Sequence, residues 1–258
     1  MIDLRFIGTG ALGSVRCRNK LSKEYRRFPS LLVDERIVID PSEDIFEFEE
    51  SFMLSGLTKG ICDVLITHSH LGHFSVCAIE RLAAISPGLT VHAGATVCAE
   101  LSGIPGIRAE VIYPFGIFSV QGYEIIPLPS NHITDDTREC AFNFLFKKEK
   151  TFFYGLDGGF INPSAWRVIK EARPELFIMD CALGDRAISE GCIYHNNFEG
   201  VMKIRELLIA CGAASEYTRF ILSHIPSERR RELHEDLTAA AADYPSVRIA
   251  YDGYFAAL

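Results

Sequence analysis

The chain has 258 residues, 48 % of them hydrophobic and 23 % charged, with a formal net charge of −8. That length allows one large domain or two small ones and can bury a sizeable core without disulfide staples. The composition excludes a disordered chain, and the acidic balance offers no global field to draw in nucleic acid.

Leu4 to Ile7 reads as a short strand running into Gly8-Thr9-Gly10-Ala11-Leu12-Gly13. A glycine pattern of this form after a strand suggests a dinucleotide site only when an apolar-periodic helix follows. Residues 14–27 carry no such stripe, so that reading is poor. Leu31 to Asp40 predicts two strands around the turn Asp34-Glu35-Arg36, and Val64 to Thr67 another strand. His73 to Ala84 has helical spacing of apolar residues. Val91-His92, Val111-Ile112, Ile117–Val120 and Tyr123–Leu128 read as strands, and Ala141–Phe146 with Thr151–Tyr154 as a hairpin. Helices are expected at Ser164–Ala172, Phe198–Ala210 and Ser227–Ala242, with strands at Leu176–Met179, Arg219–Leu222 and Val247–Ala250. Strands thus dominate the first half, and helices alternate with strands in the second. No linker-like segment divides the chain, so residues 1–258 are expected to form a single domain.

The eight cysteines are scattered with no CxxC pair, which argues against a structural zinc knuckle. No stretch approaches the roughly 18–20 apolar residues of a membrane span. The N-terminus lacks the pattern of a secretory signal. These features predict a cytoplasmic protein with reduced thiols.

Thr67-His68-Ser69-His70-Leu71-Gly72-His73 places three of the eight histidines directly after an apolar strand. His68 and His70 are two apart, so on extended backbone they point the same way. Neutral imidazole is the commonest metal ligand for zinc-like ions. Further candidates stand at the ends of other strand-like runs: His132 after Ile125–Leu128, Asp157 after Phe152–Leu156, and His224 after Phe220–Ser223. Any one alone reads more simply as a turn residue. Together they describe strand ends converging on a common site. Asp180 and Asp185 after one strand, and Asp40 at the end of another, read either as carboxylates that orient a ligand histidine or as ordinary loop residues.

Thr-His-x-His-x-x-His after a strand resembles the motif of the metallo-β-lactamase superfamily, usually written H-x-H-x-D-H. The resemblance implies a four-layer αββα sandwich of mixed α/β class. It also implies a metal held by His68, His70 and His132, with Asp157 bridging to a second ion that His73 and His224 would hold. Gly72 stands where the motif has aspartate, so one tight site and a weak or absent second site are expected. Zinc is the expected metal, with manganese or iron as alternatives.

The glycine-rich start resembles the phosphodiesterase-like branch: phosphoribosyl cyclic phosphodiesterases and tRNA 3′-end processing nucleases. The cysteine-rich zinc loop of some members is reduced here to Cys17. That branch carries a histidine general acid between the bridging aspartate and the last ligand, and His195 matches it in order. The alternative for His195 is a place beside a helix N-terminus capped by Asn196 or Asn197. His92 and His234 match nothing, and His234 is expected to be solvated. Arg16, Arg18 and Lys20, after the glycine loop, are candidate phosphate holders or members of a solvated basic loop.

A zinc-like ion lowers the pKa of bound water from 15.7 to about 7. The expected activity is hydrolysis of a small cyclic or nucleotide-like phosphodiester, with Asp157 and His195 as the catalytic residues. Alternatives are hydrolysis of a carboxylic ester, thioester or lactone, and a non-catalytic ligand-binding member that has lost the motif aspartate. A small-molecule substrate is favoured over nucleic acid, and a homodimer is compatible with the reading.

Overall fold

The computed structural model describes residues 1–11, 16–186, 194–226 and 233–258. Strands β1 (Asp3–Gly8), β2 (Ser30–Val33) and β3 (Ile37–Ile39) form an antiparallel meander, and β4 (Asp63–Leu65), β5 (Leu89–Ala93) and β6 (Ile107–Val111) extend it in parallel. The C-terminal strand β14 (Phe255–Ala257) closes the other edge, giving a seven-stranded sheet ordered β14-β1-β2-β3-β4-β5-β6. A second seven-stranded sheet is ordered β13-β12-β11-β10-β9-β8-β7. Its antiparallel half holds β7 (Phe118–Val120), β8 (Tyr123–Pro129), β9 (Phe142–Lys147) and β10 (Thr151–Gly155). Its parallel half adds β11 (Leu176–Asp180), β12 (Arg219–Ser223) and β13 (Val247–Ile249).

A parallel pair needs a crossover, and helices supply it. On the first sheet these are α1 (Asp44–Ser51), α2 (Val76–Ile85) and α3 (Ala95–Glu100); on the second, α4 (Pro163–Ala172), α5 (Phe198–Ala210) and α6 (Leu233–Ala240). The side-chain alternation of the strands assigns the layers. Phe142, Phe144 and Phe146 of β9, Tyr154 of β10, and Phe6 and Leu31 of the other sheet share one core between the sheets. Leu145, Phe153 and Phe177 point the opposite way, into a core with Val201 and Leu208 of α5. Val38 and Val64 do the same toward Phe48 of α1 and Leu82 of α2. The result is the expected αββα sandwich, with strands buried on both faces and therefore reading as continuous apolar runs.

Three elements differ from the expectation. α1 (DIFEFEES) buries only Ile45 and Phe48 and is acidic elsewhere, which hid it. α3 has six residues and one buried side chain, Val97. β6 is an edge strand with no buried residue, so it carries no hydrophobic signal and spans Ile107–Val111 rather than Val111-Ile112. The first half therefore also alternates helices with strands. α2 begins later than read, because Ser75 caps it by accepting from the Ala78 N–H; His73 lies in the turn before it. Of the predicted helix Ser227–Ala242, residues 227–232 lie outside the described residues, and α6 accounts for Leu233–Ala240. Among the described residues, no helix is long and apolar enough to cross a membrane.

The glycine-rich start has a packing explanation. A Cβ on Gly8 would lie 1.8 Å from the Phe28 carbonyl oxygen, so only glycine allows that approach. Thr9 donates both its N–H and its hydroxyl to Asp252, at 2.9 and 2.8 Å. Asp252 also receives the Arg27 N–H and pairs with the Arg27 guanidinium at 3.1 Å, all in a buried setting. Burial pushes the Asp252 carboxyl up to about 6 in spite of these donors. Gly10 bridges to Ile225. Asp252 thus locks the segment that delivers Ala11 to the site. Asp252→Ala strands the buried donors of Thr9 and Arg27, and is expected to cost about 3–5 kcal/mol, read as a lower urea midpoint at unchanged slope.

Candidate metal centre

The carboxyl ends of the parallel strands lie on one edge of the sandwich, the place where open α/β sheets bind ligands. Asp40 follows β3, His68 follows β4, Asp157 follows β10, Asp180 ends β11 and His224 follows β12. Asp40, Asp157 and His224 have φ of 50°, 46° and 56°. Left-handed backbone at non-glycine residues costs on the order of 1–3 kcal/mol each and clusters where geometry serves a site. Here it turns each side chain inward off a strand end.

His68, His70 and His132 each offer a ring nitrogen, all within 4.8 Å of one another. His70 Nδ1 and His132 Nε2 stand 3.0 Å apart. His68 is 1 % exposed, and its Nε2 has no hydrogen-bond partner among the described residues. A buried polar atom left unpaired is costly unless something else satisfies it. Burial lowers the proton affinity of His68 well below the usual imidazole range and that of His132 to about 4, and neighbouring imidazoles add to the effect. Convergent imidazoles, with burial disfavouring the proton at His68 and His132, are what a zinc-like ion requires. These residues fit a first ion.

Asp157 stands at the centre. Its Oδ2 lies 2.5 Å from His73 Nε2 and 3.6 Å from His68 Nε2, and its Oδ1 lies 3.4 Å from both His195 Nδ1 and His224 Nδ1. Burial works against its charge, but His224, His73 and His68 outweigh it and hold the carboxyl well below its ordinary range. His73 is gripped from both sides, with Nδ1 at 2.9 Å from Asp40. Burial disfavours charge on His73 too, yet Asp157 and Asp40 push it up to about 10. Asp40 in turn accepts the N–H and hydroxyl of Thr67, both at 2.7 Å. His224 donates or accepts at 2.7 Å with Asp180, and its Nε2 is buried without a partner among the described residues. Asp40 and Asp180 therefore orient His73 and His224. A second group of ligand-capable atoms comprises Asp157, Asp180, His195 and His224, again within 4.8 Å.

The site also uses groups the sequence did not single out. Glu139 accepts the Ser69 N–H at 2.8 Å and its hydroxyl at 2.6 Å, fixing the backbone between His68 and His70. The Asn196 amide donates to the carbonyls of Gly158 and Gly159 just after Asp157. Glu139 and Asn196 are ordinary loop residues by type, and only tertiary contact reveals them. Asn197, not Asn196, caps α5 by accepting from the Gly200 N–H at 2.7 Å.

His195 reaches the site, whereas the basic candidates do not line its cavity. Arg16 pairs with Asp44 at 2.5 Å and lies over the rings of Tyr25 and Phe28, and Arg18 is exposed. Leu12 and Gly13 of the glycine pattern, and Cys192-Ile193 before His195, lie outside the described residues. His92 of β5 pairs with Asp63 of β4 at 3.1 Å and does not line the cavity. His234, expected in solvent, is 5 % exposed beside Arg26.

At the motif-aspartate position, Gly72 has φ +104°, and a Cβ there would meet the Phe28 ring at 2.8 Å. An aromatic ring thus abuts the direction from which a side chain would depart. The protein supplies no carboxylate at this point.

No family model matches the chain, and no curated protein matches it by sequence. Solved structures match along its whole length. The metallo-beta-lactamase fold protein YhfI from Bacillus subtilis aligns with a TM-score of 0.74 at 14 % identity, covering 100 % of each chain. A diphosphatase from the PhnP family aligns at 0.74 and 18 %, covering 100 % of this chain and 98 % of that one. The Zn(2+)-bound PqqB from Methylobacterium extorquens aligns at 0.71 and 16 %, covering 99 % and 100 %. The chain has the metallo-β-lactamase fold.

Two outcomes follow from this geometry. Gly72→Asp forces a side chain into left-handed backbone and against Phe28, so it is expected to lose about 1–3 kcal/mol in chemical denaturation without raising the bound-metal count; adding Phe28→Ala should recover part of the loss. Further, His73 carries a proton at neutral pH while Asp157 and Asp40 hold it near 10. An ion that takes its Nε2 must expel that proton, so affinity at a second site should rise with pH between 6 and 9. Calorimetry in buffers of different ionisation enthalpy reads the released proton.

Proposed function

We propose that the protein is a metal-dependent hydrolase of small phosphodiesters. It would hold one ion tightly through His68, His70 and His132 with Asp157, and a second weakly or not at all. Zinc is the metal proposed, with manganese or iron as substitutes. The observation that carries the reading is the convergence of the His68, His70 and His132 ring nitrogens, beside the buried Asp157, at a cavity of about 360 Å³. That volume suits a small molecule rather than a polymer. When bound, the ion supplies Lewis acidity and makes a water acidic enough to attack near neutral pH.

The chain's own residues would do the rest. Asp157 stays ionised and orients the attacking water through its free lone pairs. Asp40 and Asp180 keep His73 and His224 from swinging away. Two carboxylate oxygens lie 3.4 and 3.5 Å from His195 Nδ1. From beside these two carboxylates, His195 would give a proton to the leaving oxygen. The diphosphatase among the structural neighbours supports phosphate chemistry on this fold.

The test is turnover of bis(p-nitrophenyl) phosphate against a panel of lactones and thioesters, with metal content measured on the same preparation. His68→Ala should lose activity by about a thousandfold together with the metal. Turnover of the lactones alone would move the reading to carboxylic ester chemistry. A fully loaded protein inert on both sets would point to a ligand-binding role.

A further inference from the structure

His234 takes no part in the metal centre. It stands in the first turn of α6 and is 5 % exposed, beside the buried Arg26. Arg26 Nη1 donates to the Thr9 hydroxyl at 2.8 Å and to the Ala250 carbonyl at 2.9 Å, which fixes the guanidinium. Its Nη2 faces His234 Nδ1 at 3.4 Å. A guanidinium has only N–H groups to offer, so Nδ1 accepts and the ring hydrogen sits on Nε2. Burial, together with Arg26 and Lys23, lowers the proton affinity of the ring to about 4, so it is neutral at pH 7. Nε2 is then a donor, and it has no partner among the described residues. A donor left over in a side chain this buried calls for an acceptor from outside the chain.

His234 lines a cavity of about 580 Å³ that shares no lining residue with the cavity at the metal centre. Tyr251 and Tyr254 form part of its wall. They stand edge to face with each other at 5.5 Å, Tyr251 likewise with His234 at 5.5 Å, and Tyr254 with Phe6 at 5.6 Å. The rings are therefore held in place before any ligand arrives. Lys23 Nζ lies 4.7 Å from the Tyr251 ring centroid. Arg248 lines the same cavity, and its Nη1 donates to the Pro245 and Val247 carbonyls at 2.9 and 2.7 Å. Glu24 and Glu235 line an adjoining hollow, where Glu24 accepts the His234 backbone N–H at 2.7 Å. Positive charge thus lies along one part of this surface and negative charge along the next.

We propose that this cavity is a second ligand site, taking a planar aromatic anion. The ligand's ring system lies against Tyr251 and Tyr254, and its acid group accepts from His234 Nε2–H in the field of Lys23 and Arg248. Held aromatic rings favour stacked and edge-on contact with another ring, and a charge-assisted hydrogen bond is about twice as strong as a neutral one. The volume suits a small molecule. None of these groups belongs to the metal centre, so the inference stands apart from the hydrolase reading.

The experiment titrates naphthalene-2-sulfonate into the zinc-loaded protein by calorimetry and follows the imidazole nitrogens by NMR. The His234 Nε2 resonance should shift with the same saturation curve as the heat. Tyr251→Leu and Arg248→Gln, both at solvent-accessible positions, should each weaken binding about fivefold. Neutral naphthalen-2-ol, which lacks the anion, and methanesulfonate, which lacks the ring, should bind at least fivefold more weakly than the probe. His70→Ala should bind the probe as wild type does. No binding by wild type, an unmoved His234 resonance, or affinity within twofold of wild type in both cavity variants overturns the assignment. So does loss of binding in His70→Ala with retention in Tyr251→Leu, which places the probe at the metal centre.

Discussion

The Asp157 carboxylate, 4 % exposed, sets the terms for the rest of the site. A buried charge is tolerated only when paired. Four histidines from three segments stand within 3.6 Å of its two oxygens: His68, His73, His195 and His224. The imidazoles of His68, His73 and His224 are buried too, and they need partners on their outer nitrogens. Asp40 and Asp180 provide them, and Thr67 and Asn196 provide for those carboxylates in turn. The network extends outward until it reaches strands whose register is fixed by the two sheets. A site of this kind can be rigid because each member's orientation is enforced by the next.

The topology explains why these groups meet. Parallel strands joined by helical crossovers all finish on the same edge, so their terminal residues are neighbours in space although distant in sequence. β8 and β10 both run antiparallel to β9, which brings His132 to the edge where Asp157 emerges. Left-handed backbone at Asp40, Asp157 and His224 then points the side chains across that edge rather than along it. The strain is borne by two packed cores on the outer faces and one between the sheets.

Much of this was legible in the sequence for a physical reason. Both faces of the strands are covered, so Val64–Ile66, Phe152–Leu156 and Phe220–Leu222 read as apolar runs, and the ligand-capable His68, Asp157 and His224 stand close after them. What stayed hidden has no local signal. α1 and α3 bury too few side chains to show a stripe, and β6 buries none. Glu139 and Asn196 act through contacts that span 70 and 38 residues of chain. The same limit applies to the basic residues. Arg16 and Arg18 follow the glycines in sequence, but Arg16 is paired with Asp44, and neither lines the cavity.

The missing motif carboxylate can be understood from the same packing. Gly72 is not merely a shortened aspartate, because its backbone lies at φ +104° with the Phe28 ring against the Cβ direction. Phe28 is itself held by its N–H to Asp44, the residue that also takes Arg16. The glycine, the ring and the basic loop therefore form one packed unit at this corner of the site. On the other side of Asp157, His195 and Asp180 crowd toward the carboxylate. The donors around Asp157 are thus unevenly distributed: imidazole-rich toward His68 and His132, carboxylate-free at Gly72, and replenished near His195. That asymmetry makes the two sides of Asp157 differ in the ligand atoms they offer, with His68, His70 and His132 grouped on one and Asp180, His195 and His224 on the other.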